Sequence, residues 1–133
     1  MYRKMIALLL AFFAAACSWQ SKAPPEDVDK AAALFYQRLA EADYDAIYKD
    51  TAKGFKEKKT RDQIIESLKE IASNGKVLNY ARVSMGFEGE EKDPRVAAVY
   101  ATNFERRVGN LTLYFVDESG EWRLIGFALK LRG

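Results

Sequence analysis

With 133 residues, 49% of them apolar, the chain has the hydrophobic content for one buried core, and its single cysteine leaves no internal disulfide to form. The 21 basic and 19 acidic residues nearly cancel, so no global field marks a nucleic-acid binder. Histidine is absent, which excludes Ser-His-Asp and Cys-His nucleophilic systems, His–carboxylate acid–base pairs and His-ligated metals.

The first seventeen residues have the build of an export signal. Arg3 and Lys4 give a positive start, Met5 to Ala16 are apolar, and Ala14, Ala15 and Ala16 offer the small side chains a signal peptidase accepts. Twelve apolar residues fall short of the about 20 needed to cross a bilayer. Ser18 to Lys22 then turn polar, so cleavage is expected. The stretch Leu10 to Cys17 resembles the lipobox of bacterial lipoproteins, with Ala14 where an aliphatic residue is usual. The resemblance implies a diacylglyceryl thioether on Cys17 and attachment to the membrane through that lipid. Ser18 in place of Asp after the cysteine implies the cell envelope, at the periplasmic face of the outer membrane. The plainer alternative is an ordinary cleaved signal with an incidental Cys17.

Residues 1–16 are thus expected to be a signal peptide, 17–25 the lipidated cysteine and tether, and 26–133 one domain. Removing Arg3 and Lys4 leaves 19 basic against 19 acidic residues, a neutral mature chain. The tether from Ser18 to Pro25, at no more than about 3.6 Å per residue, holds the domain close to the membrane. Trp19 within it suits either the lipid interface or no fixed partner.

Val28, Ala32, Phe35, Leu39 and Ala42 recur at helical spacing and predict a helix from Glu26 to Ala42, with Pro25, Glu26 and Asp27 suited to its first turn. A short helix is expected from Tyr44 to Thr51. Lys53, Lys56, Lys58, Lys59 and Arg61 then read as a solvated loop, the alternative being contact with lipid phosphates. Thr60 and Gln63 have the spacing of a capping box, opening a third helix whose stripe is Ile64, Ile65, Leu68, Ile71 and Ala72. Asn74-Gly75 supplies its stop.

Beyond Gly75 the period falls to two. Lys76 to Phe87 sets Val77, Asn79, Ala81, Val83, Met85 and Phe87 against Leu78, Tyr80, Arg82, Ser84 and Gly86. A polar loop from Glu88 to Pro94 follows. It has the acidity of a calcium site but not the ordered ligand spacing. Further strands are expected over 95–105, 108–116 and 121–131, with Glu118-Ser119-Gly120 as a hairpin turn. The fold class is α+β: N-terminal helices packed on a curved four-stranded antiparallel sheet. In the last strand Trp122, Leu124 and Ala128 alternate with Ile125, Phe127, Leu129 and Leu131, so both faces read as apolar. Either the helices cover more of the sheet, or its outer face meets a second chain.

The segments Tyr100 to Glu105, Leu111 to Phe115 and Gly120 to Phe127 resemble the nuclear transport factor 2-like superfold, and within it the bacterial exported domain-of-unknown-function family 4019. That implies a cone of helices resting in the sheet. Catalytic members of the superfold work with carboxylates, tyrosines or histidines inside the cone. Here Tyr36, Tyr80 and Asn103 are the cavity-lining candidates, and no carboxylate falls at an obvious inward strand position, as proton transfer would require. The expected function is therefore a non-catalytic interaction or accessory module of the envelope. Its partner would be a second copy or an envelope protein bound through the outer sheet face, with no cofactor, metal or nucleic acid. The alternatives are a carrier or sensor of a small apolar ligand in the cone, and a carboxylate–tyrosine enzyme.

Overall fold

The computed structural model describes residues 25–88 and 93–132. The expected signal peptide, Cys17, Trp19 and the Glu90-Glu91 part of the acidic loop lie outside the described residues.

Helix α1 spans Pro25–Ala40 and buries Val28, Ala32, Phe35, Tyr36 and Leu39, the stripe its spacing dictates. Helix α2, Tyr44–Lys49, is capped by Asp43, whose side chain accepts from the Ala46 amide. The basic stretch expected as a loop is instead a third helix, α3, over Lys53–Lys58. One apolar residue explains the difference: Phe55 is buried in the core, and sinking it fixes the turn that carries the lysines. Helix α4, Arg61–Ala72, opens with both bonds of the capping box, Thr60 N to Gln63 Oε1 at 3.0 Å and Gln63 N to Thr60 Oγ1 at 3.2 Å. Gly75, at φ 98°, follows its end.

Four strands, β1 (Val77–Glu88), β2 (Arg95–Phe104), β3 (Val108–Glu118) and β4 (Glu121–Leu131), form one antiparallel meander in the order β1-β2-β3-β4. Positive φ at Ser119 (55°) and Gly120 (86°) fits the mirror-image turn whose twist matches a two-residue hairpin. The short link Glu105 to Arg107 leaves the β2–β3 register unbroken, from Asn103 opposite Val108 to Arg95 opposite Val116.

Bulges rearrange what the alternation predicts. In β4, Phe127 pairs with Leu113 and Leu124 pairs with Phe115, so the register shift between them brings both onto the helix-covered face. The two apolar faces read from the sequence thus collapse largely into one, with Ala128 left exposed on the other. In β1, shifts at Leu78 and Val83 put Tyr80, Arg82, Met85 and Phe87 opposite Thr102, Tyr100, Ala98 and Val96, all buried positions. The expected β1 face of Asn79, Ala81 and Val83 therefore does not face the helices.

The core draws on α1 to α4 and on β2, β3 and β4, with Ile64, Leu68, Leu111 and Leu113 fully enclosed. The helices and strands of the described residues thus share one core.

Candidate functional site

The sequence candidates separate. Tyr36 is buried on α1, and its ring lies flat on that of Tyr80, centroids 3.9 Å apart at 9°. Its hydroxyl meets Thr102 Oγ1 at 2.7 Å, while Thr102 donates its own proton to the Tyr100 carbonyl at 3.0 Å. With that proton spent, Tyr36 is the donor. Tyr100 donates in turn to Asp29 Oδ1 at 2.8 Å, which also accepts from Arg82 Nε at 3.0 Å. Asn103 is not among them: it lies on the opposite face of β2, donating to Asn79 at 2.7 Å.

This network ties α1 to β1 and β2. Burial pushes the Tyr36 hydroxyl up to about 12. Burial first, and the bond to Asp29 second, also raise Tyr100. Both stay protonated at neutral pH and neither supplies a base. Among the described residues no buried side-chain polar atom lacks a partner, and no cluster of three potential metal ligands occurs.

The sheet's two edges are unlike. Along β4, the Ala52 amide donates to the Leu124 carbonyl at 2.8 Å and Thr51 bridges the same residue, so a short loop caps the edge. No such bridge reaches β1 among the described residues. Of the six large exposed apolar side chains among the described residues, four sit on it, including Leu78, Val83 and Phe87 at 65%, 59% and 68% exposure. The outer face of the central strands, where the sequence placed a partner, carries mainly small or polar groups such as Ala97, Ala101, Asn110 and Thr112, with Tyr114 its main aromatic. Alternation along β2 and β3, which pair without a shift, shows that face; it could not show the exposed side chains of β1, where the shifts at Leu78 and Val83 turn them from their expected sides.

Two clefts flank the helices, and neither is lined by Tyr36, Tyr80 or Asn103. One, of about 480 Å³, lies between α1 and the β3–β4 hairpin, and its arginines are neutralised: Arg38 on Asp50, and Arg123 on Asp50 and Glu121. The other, of about 830 Å³, opens between α3, α4 and β4 under the β2–β3 turn, with Lys58, Lys59, Arg106 and Arg107 around it. Its basic residues were visible in the sequence. That they border one cleft was not, because Arg107 stands far along the chain from Lys59.

No family model matches this sequence, and no curated protein matches it.

Proposed function

We propose that the chain is a lipid-anchored, non-catalytic interaction module of the cell envelope, which pairs with a second copy of itself through the edge of β1. The observation that carries the docking element is the uncovered, apolar β1 edge beside a β4 edge that is capped. Natural edges are usually blunted by lysine, proline, bulges, inward-pointing charge or cover. β1 has no lysine or proline in its twelve positions; it carries bulges at Leu78 and Val83 and an inward Arg82 engaged by Asp29, yet keeps its apolar side chains in water, and its other charge is the terminal Glu88. Antiparallel pairing of two such strands is self-complementary about a two-fold axis, and any register centred away from Arg82 and Glu88 sets no like charges directly opposite each other. The anchor reading rests on the lipobox at Cys17, and a short tether would concentrate copies on one surface. Helices on a four-stranded meander also agree with the nuclear transport factor 2-like architecture that the strand motifs resemble.

Sedimentation of the chain from Ser18 onward is expected to give a dimer at micromolar concentration, and Val83→Lys with Leu78→Lys a folded monomer. A strictly monomeric wild type, a dimer indifferent to both changes, or membrane cross-links to a different protein alone would overturn self-pairing. For the anchor, Cys17→Ser should abolish acylation, and an acylated variant would refute it.

A further inference from the structure

The cleft at the β4 side combines two features that one class of ligand satisfies together. Its floor is apolar, formed by the partly exposed Ile125, Phe127 and Leu129 over the buried Phe55 and Ile71, with Phe55 and Phe127 packed edge to face at 5.9 Å. Its rim is cationic. Arg38, Arg61, Arg82, Arg95 and Arg123 each sit on a carboxylate, whereas no lysine among the described residues does, so that Lys58 and Lys59, together with Arg107, border the cleft without an ion pair. Arg106 is occupied at the end of α4, donating to the Ser73 carbonyl at 2.9 Å, where a cation complements the helix dipole. Glu70 is the one acidic residue of the lining, so the rim keeps an excess of positive charge.

We infer that this cleft binds a single-chain anionic amphiphile, a fatty acid in chemical class, with its tail along the β4 floor and its carboxylate at the cationic rim to which Lys59 and Arg107 both contribute. The volume of about 830 Å³ lies in the range of small-molecule sites. From Ile125 to Leu131 the strand offers roughly 20 Å of floor at about 3.3 Å per residue, a length suited to an extended tail. A small hydrophilic anion would leave that floor wet, and a neutral hydrocarbon would leave the cations unanswered. The site stands at the opposite edge of the sheet from β1, so it does not depend on self-pairing.

The test uses the chain from Ser18 onward, followed by amide chemical shifts on titration with laurate, dodecanol and inorganic phosphate. Laurate is expected to shift Phe55, Ile71, Phe127 and Leu129 saturably, with dodecanol at least about tenfold weaker and phosphate weaker still. Lys59→Glu with Arg107→Glu, on exposed positions that leave the fold intact, should weaken laurate at least about tenfold and leave dodecanol unchanged. Equal affinity for laurate and dodecanol, shifts confined to β1, or indifference to charge reversal would overturn the inference. So would binding to phosphatidylglycerol vesicles with no uptake of laurate, which would make the rim a membrane contact.

Discussion

β1 and β4 are both edge strands of near-equal length, yet the sheet finishes them differently. β4 is packed from within, through Leu124 and the partly buried Phe127 and Leu129, and capped from outside at Leu124 by Thr51 and Ala52. β1 is held chiefly by its pairing to β2 and by the contacts of α1, through Tyr36 on Tyr80 and Asp29 on Arg82. Apolar content does not distinguish the two strands. What differs is the reach of the short helices: α2 and α3 end beside β4, and their connecting loop supplies the cap. The surface available for a partner is thus decided by where helices fall short.

The contrast can be broken most sharply by one substitution made on both edges. Leu124→Ala, in the core at 6% exposure, should cost about 2–5 kcal/mol in urea unfolding. Leu78→Ala on β1, at 65% exposure, should stay within about 0.5 kcal/mol of wild type for the monomer. Comparable losses at the two sites would show that β1 is covered after all.

Alkali probes the tie between α1 and the β1 side. An unfolded tyrosine ionises near 10, and the folded Tyr36 near 12, so its contribution is complete below about pH 10 and is lost as pH rises through 12. The loss should be on the order of 2–3 kcal/mol. Tyr100, raised in the same direction, adds to it. Tyr36→Phe should therefore shrink the alkaline fall in stability without removing it, and an unchanged profile would mean that the buried hydroxyl is not what titrates.

Two smaller changes sharpen the picture on either side. A Cβ at Gly109 would stand 2.8 Å from the Lys130 carbonyl and 3.2 Å from the Leu131 Cα, both backbone atoms of β4. Gly109→Ala should cost about 1–3 kcal/mol and speed amide exchange in β4 before β1. Asp29→Ala removes the acceptor of both Tyr100 and Arg82, and should cost about 1–2 kcal/mol, with faster exchange in β1. Exchange that rises in the other strand in either case would reverse the assignment of what secures each edge.

Much of this architecture was legible because it is local. Thr60 and Gln63 announce a helix start through groups three residues apart, and Ser119-Gly120 announces a hairpin through its backbone preferences. The basic helix α3 was not legible: six residues with a single buried aromatic have no period to detect. Of the cavity-lining candidates, Tyr36 and Tyr80 stack on each other and border neither cleft, while Asn103 lies on the other face of β2. Its neighbour Thr102, the residue that does meet Tyr36, offered no signal beyond the same alternation counted from a different start.

By itself, the sequence determined the order of helices and strands, the near-neutral and histidine-free character of the domain and the composition of its core, since these follow from spacing and side-chain chemistry along the chain. Only the tertiary structure decided which apolar residues remain in water and which cations stand without carboxylates. Both depend on bulges, strand register and the reach of α2 and α3, which arise from packing between segments distant in sequence.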